Sequence, residues 1–208
     1  GSSLCPEVLQ ETFGSATGYP TLLVLDSTDP ARVLAVESSV ALAKTLFIVS
    51  SKSGGTIEVL SFYRYFAERV RASFGRQKFM TLIGARLIRV EPGHVQIELP
   101  YREDLGQQHG FIHGGATAAI ADSAGGYAAF SLFPADASIL TVEFKLNLLA
   151  PAQGQKLIAT GKVLRGGRTL SVCNLEVAAV ADGVSTLCAT GLQTLMCLHG
   201  RPDAPPAA

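Results

Sequence analysis

The chain has 208 residues, room for one large domain or two small ones. Its seventeen Lys/Arg and seventeen Asp/Glu cancel, which excludes the basic footprint of a nucleic-acid binder and the polybasic patch of a membrane-surface protein. Hydrophobic residues make up 48% of the chain and the mean hydropathy is +0.30, a value that burial in a subunit interface accounts for. The most apolar helix candidate, Gly114 to Phe133, is broken by Asp122 and four glycines, so it reads as amphipathic rather than membrane-spanning. The four cysteines form no CxxC pair and no His/Cys cluster. That pattern points to free thiols, a cytoplasmic location, and neither metal nor cofactor. No signal peptide is visible, and the start at Gly1 suggests a processed, trimmed or excised chain.

In chain order, Leu4 to Phe13 can form a short helix, followed by a continuous apolar run from Thr21 to Leu25. Asp29-Pro30 opens a second helix through about Leu42, and a second apolar run spans Thr45 to Val49. The loop Ser50-Ser51-Lys52-Ser53-Gly54-Gly55 then precedes a third helix, from about Thr56 to Val70. Short apolar runs alternating with helices predict a parallel sheet.

From Thr81 the pattern changes to in-out alternation, the mark of an antiparallel sheet covered on one face. In the strand Ile139 to Leu149, residues Leu140, Val142, Phe144, Leu146 and Leu148 would face one way, and Thr141, Glu143, Lys145 and Asn147 the other. Tight turns are expected at Arg165-Gly166-Gly167-Arg168 and at Asp182-Gly183, the latter a common I′ pair. The resulting order is two strands, one long helix, then four strands. A lone helix in an antiparallel meander packs most simply across the concave face of that sheet. Small residues (Gly114, Gly115, Ala118, Ala119, Gly125, Gly126) would let it lie close to the strands.

Chemistry concentrates around that helix. Gly114 and Gly115 stand at its N-terminus, where backbone N–H groups and the helix dipole favour negative charge developing on an acyl oxygen. Asp122 sits in Ala-Ala-Ile-Ala-Asp-Ser-Ala-Gly-Gly, apolar surroundings in which a carboxylate is costly unless paired or working. It can serve as general base toward water or as a nucleophile; an exposed, solvated Asp is the plain alternative. His113 precedes Asp122 by nine residues, roughly 13.5 Å of helical rise and two and a half turns. They lie on opposite faces, so a site using both ends needs two helices side by side from two subunits.

The run Gln107-Gln108-His109-Gly110-Phe111-Ile112-His113-Gly114-Gly115, the Asp nine residues after His113, and the strand ending Leu149-Ala150-Pro151 resemble the phenylacetic-acid-degradation (PaaI-type) branch of the hotdog thioesterases. The resemblance covers most of residues 71–198. It implies an α+β hotdog fold over about 71–200, an antiparallel sheet wrapped around a long central helix, and hydrolysis of acyl-CoA. It further implies that Gln107, His113 and Gly114 of one subunit meet Asp122 and Thr141 of another. In this likeness Gln107 takes the place of an amide residue, often Asn, that positions water or the thioester, and Thr141 that of a hydroxyl residue bonded to the water or the carboxylate. His113 would orient the loop and the carbonyl, with a structural histidine as the competing reading. Arg165 and Arg168 would contact coenzyme A phosphates, or simply flank a solvated turn. Tyr127, Phe130 and Phe133 could line an acyl pocket, with helix-to-sheet core the better reading for at least two of them.

Residues 1–70 carry a different resemblance. The opening Gly1 to Leu9, the Leu25 to Pro30 segment and the Ser51-Lys52-Ser53-Gly54-Gly55-Thr56 loop resemble part of a sugar-isomerase (SIS) subdomain of bacterial glucose-6-phosphate isomerase. The likeness implies a partial α/β fragment fused to the thioesterase. Gly55 replaces a hydroxyl residue of the family's phosphate loop, and the later catalytic segments are missing, so isomerase activity is not expected. Residual phosphate contacts would fall to Ser51, Ser53 and Thr56. Residues 201–208 read as a disordered tail. The sequence thus predicts an acyl-CoA thioesterase acting as a homodimer or homotetramer. The rival readings are a hotdog module that binds acyl-CoA without turnover and a sugar-phosphate-binding protein.

Overall fold

A computed structural model of the chain describes residues 4–15, 20–25, 27, 29–40 and 67–203. Two compact units, Gly1–Tyr65 and Phe66–Ala208, divide the chain.

In the first unit, helix α1 spans Leu4–Phe13 and closes on Gly14, whose φ of 64° only glycine adopts readily; its N–H donates to Gln10 O. Helix α2 spans Pro30–Ser39. Asp29 caps it by accepting from the Ala31 N–H at 3.0 Å, and Pro30 takes the first helical position, where a missing N–H costs nothing. The apolar run 21–25, expected as a strand, is not one. A strand is made by hydrogen bonds to a neighbour, and these residues have none among the described residues. The partner run 45–49, most of the third helix, and Ser51, Ser53 and Thr56 lie outside the described residues, as do residues 204–208 of the tail.

The second unit opens on helical residues 67–75 (α3) and helix α4, Lys78–Ile83. Strands β1 (Arg86–Glu91) and β2 (His94–Pro100) follow, then helix α5 (Gly114–Phe130), then β3 (Ser138–Leu148), β4 (Lys156–Arg165), β5 (Leu170–Ala181) and β6 (Val184–Leu198). The six strands form one sheet in the order β1-β2-β4-β5-β6-β3, antiparallel throughout. This is the α+β hotdog arrangement expected from the element order. Asp182 and Gly183, with φ of 50° and 79°, make the I′-type turn from β5 to β6.

α5 crosses the inner face of the sheet, burying Ile120 and Phe130 against Leu157, Leu175 and Leu195. Each such side chain contributes about 1.5–3 kcal/mol. Close approach depends on absent side chains. A Cβ on Gly161 of β4 would lie 2.3 Å from the Ala124 carbonyl, and one on Gly125 would lie 2.0 Å from Gln193 Oε1. Gly126, expected to share this role, faces open space, whereas Ala121, Ala124, Ala128 and Ala129 are fully buried. At its far end α5 is held by α3. Ser73 and Tyr127 share a hydrogen bond, and Arg69 lies over the Phe130 ring while donating to the carbonyls of Phe133 and Ala137. Tyr127, Phe130 and Phe133 are all core.

β3 departs from simple alternation. Its register against β6 slips between Thr141, opposite Leu195, and Glu143, opposite Thr194. The extra residue, Val142, is a β-bulge, and it inverts the phase of the strand. Thr141 therefore shares the helix-facing side with Leu195, and beyond the bulge Phe144 and Leu148 return to that side opposite Gln193 and Ala189. Leu140 instead pairs with Met196 on the outer face, the face that carries Glu143 and Lys145. The uniform split read from the sequence fails here because one residue is counted in the strand but not in the ladder.

Candidate active site

The N-terminus of α5 is built by the loop before it. The His113 N–H donates to Leu105 O, and the Ile112 N–H donates to Ala152 O, which fixes the entry angle. His113 is the N-cap, its Nδ1 accepting from the Gly115 N–H at 2.8 Å, so the ring proton sits on Nε2. That bond engages the Gly115 N–H, one of the two glycine donors expected at this helix start, with His113. The Gly114 N–H has no acceptor outside the helix among the described residues. Gln107 Oε1 accepts from the His109 N–H at 2.8 Å, which leaves its amide nitrogen as the uncommitted, donating end.

Gln107 and Gly114 line a cavity of about 140 Å³ whose walls are mostly apolar: Phe111, Ile112, Leu148, Ala150, Pro151 and Ala152, together with Thr117 and Cys188. Donors therefore face a half-open space with largely apolar walls, a setting in which a polarised carbonyl is stabilised more than in bulk water. Neither Asp122 nor Thr141 belongs to this lining.

Asp122 lies further along α5, half-buried, and the structure brings Thr141 to it. Thr141 Oγ1 donates to Asp122 Oδ1 at 2.8 Å, a contact made possible by the bulge that turns Thr141 inward. A residue not anticipated from the sequence completes the cluster. Gln193 of β6, 1% exposed, donates from Nε2 to Asp122 Oδ1 at 2.6 Å, with Asp122 O at 3.1 Å and Thr141 Oγ1 at 3.2 Å. No described residue donates to Asp122 Oδ2. Gln193 Oε1 is buried without a partner, a loss of about 1–3 kcal/mol for a lone amide oxygen. One signal for Gln193 was present in the sequence: it is the lone amide on a side of β6 otherwise made of Ala189, Gly191, Leu195 and Cys197.

The two clusters stand apart. Along β3, Thr141 marks the acid end and Leu148, 3.2 Å from where a Gly114 Cβ would be, marks the amide end. Six ladder steps at about 3.3 Å separate them by roughly 20 Å. The structure thus joins Gln107 with Gly114, and Asp122 with Thr141 and Gln193, but does not unite the two sets within one chain. Arg165 and Arg168 are exposed around the β4–β5 turn, and Arg165 sits in the cross-strand row Arg165–Val172–Thr194–Glu143, next to the acid end. Cys173, Cys188 and Cys197 are free and buried; burial pushes the Cys173 thiol up to about 12. Among the described residues no group of His, Cys, Asp and Glu could hold a metal ion, and no helix is long and apolar enough to cross a membrane.

Residues 109–186 match the family described as the thioesterase superfamily. A crystal structure of a thioesterase family protein from Silicibacter pomeroyi is 46% identical, with 65% of this chain and 99% of that one covered at a TM-score of 0.64. A candidate esterase of Halobacterium salinarum is 33% identical over 108 residues, half of this chain and 71% of that protein. Human acyl-coenzyme A thioesterase 13 is 27% identical over 118 residues, 56% of this chain and 84% of that enzyme. These matches lend nothing to the sugar-isomerase resemblance of residues 1–70. With the inner helix, the HGG entry and the Asp122 cluster in place, the chain belongs to the thioesterase superfamily of hydrolases.

Proposed function

We propose that the protein hydrolyses acyl-CoA thioesters to the free acid and CoA, at a site completed by a second copy of the chain. The observation that carries this reading is the division just described. The cavity beside Gly114 has donors and no carboxylate, while the carboxylate has its own hydroxyl and amide partners about 20 Å along the same strand. That strand, β3, is a sheet edge eleven residues long, and Phe144 and Leu148 on its inner side are 42% and 62% exposed. A long, apolar edge is a template for pairing. Antiparallel pairing of β3 with its copy would set the Gly114 end of one subunit against the Asp122 end of the other. The CoA part of the substrate is supported by acyl-coenzyme A thioesterase 13 among the relatives.

In this site the Gly114 N–H, with the Gln107 amide nitrogen near it, polarises the thioester carbonyl. Asp122 of the partner subunit accepts a proton from water as the water oxygen attacks the carbonyl carbon. The tetrahedral oxyanion is held at Gly114. Its collapse breaks the C–S bond, and the CoA sulfur takes the proton back from Asp122. Direct attack by Asp122 on the carbonyl, followed by hydrolysis of the anhydride, uses the same atoms. His113 holds the loop and the helix start. Arg165 and Arg168, exposed at the β4–β5 turn, are the candidates to meet CoA phosphates.

A thiol-release assay over an acyl-CoA panel tests activity and acyl preference together. Asp122→Ala and Gly114→Val chains should each be inactive, and refolding them together should restore about a quarter of wild-type turnover, since half the dimers then carry one intact site. No turnover with any acyl-CoA would overturn the hydrolase reading; activity that mixing fails to restore would overturn the shared site.

A further inference from the structure

We infer that Gln193 is a positioning residue for the hydrolysis, holding one oxygen of Asp122 so that the other is presented to the reacting atoms. The inference rests on the reading of Asp122 as base or nucleophile. Its starting point is an amide where the fold calls for none. Gln193 occupies a buried position on the inner face of β6, opposite Cys173, a place where a side chain of similar volume without polar atoms would leave nothing unpaired. Its Oε1 has no partner, so the amide is kept for its other end.

The direction of that amide follows from what surrounds Nε2. Asp122 O and Oδ1 are both acceptors, and Thr141 Oγ1 commits its proton to Oδ1, so it too presents lone pairs. Three acceptors converge on one point, and only the NH₂ end can face them. The helix makes room for this. Gly125 leaves vacant the space that Oε1 fills, since a Cβ there would stand 2.0 Å from that oxygen.

Two donors, Gln193 Nε2 and Thr141 Oγ1, thus meet at Asp122 Oδ1, while Oδ2 receives none from a described residue. Two donors on one oxygen restrict rotation of the carboxylate, so its second oxygen keeps a preferred direction before substrate arrives. Prepaid orientation of this kind raises turnover rather than affinity. Gln193 touches Asp122 and not the cavity lining, so it acts through Asp122.

The test compares the full 208-residue chain with Gln193→Met, which keeps the bulk without the donor, and Gln193→Glu, which keeps the shape but sets an oxygen against Oδ1. We expect Gln193→Met to lower kcat about tenfold with KM unchanged and melting temperature maintained, and to have no further effect in an Asp122→Asn background. Gln193→Glu should fall at least as far, and it decides the matter if Gln193→Met does not fold. Wild-type kcat in either folded variant, or a loss confined to KM, overturns the positioning role. If Asp122→Asn keeps wild-type turnover, or the wild type turns over no acyl-CoA, the parent reading fails and this one with it. If Asp122→Asn is inactive while Gln193→Met is not, the positioning role alone fails.

Discussion

The start of α5 and its middle solve opposite problems. At the start, the proposed working group is the Gly114 main-chain N–H, and it borders a cavity. At Asp122 the useful group is a side chain, and everything near it is filled: Thr141 and Gln193 bond to it, and Gly125 and Gly161 are glycines because the space belongs to other atoms. The difference teaches where function and stability coincide. On the proposed reading, the hollow end tolerates added bulk without loss of fold, whereas added bulk at the filled end costs stability.

The largest break in that contrast comes from the carboxylate. Asp122→Asn should reduce kcat by about 10²- to 10⁴-fold with the oligomer unchanged by size-exclusion chromatography, since the amide retains shape and loses the proton acceptor. A smaller effect separates the ends by a matched pair of changes. Gly161→Ala drives a methyl into the α5 backbone and should cost about 1–3 kcal/mol of stability, read as a lowered urea midpoint. Gly114→Ala meets only the flexible end of Leu148, so stability should stay within about 0.5 kcal/mol while turnover drops. Equal stability losses at both positions would erase the distinction. The smallest effect is a pH dependence beneath the filled end, where the Cys173 thiol donates to the Gly125 carbonyl. Burial raises this thiol from 9.0 to about 12, so the folded state favours its neutral form. The unfolded chain releases that proton first. Stability from this group is therefore complete below pH 9 and declines between pH 9 and 12. Cys173→Ala should flatten that part of the denaturation profile.

Much of this was legible in the sequence where chemistry and local geometry agree. The HGG entry and Asp122 could be found because a helix start, a glycine pair and a lone carboxylate in an apolar run are all local signals. The order of strands and helix followed from a change in periodicity near Thr81. Gln193 was hidden for a physical reason: it is 71 residues from Asp122, and only the packing of α5 against β6 brings them together. The run 21–25 misled because apolar composition alone does not make a strand. The face of Thr141 was misassigned because alternation assumes an unbroken ladder, and Val142 breaks it.

That bulge has a consequence for how the protein can vary. β3 serves two masters along one edge: Thr141 must reach the carboxylate, and Leu148 must reach the helix start. A strand alternates with a period of two, so parity links these tasks, and Val142 sets the parity. Deleting one residue between 142 and 147 would carry Thr141 or Leu148 to the opposite surface, however conservative the remaining sequence. β3 can therefore absorb changes of residue far more readily than changes of count.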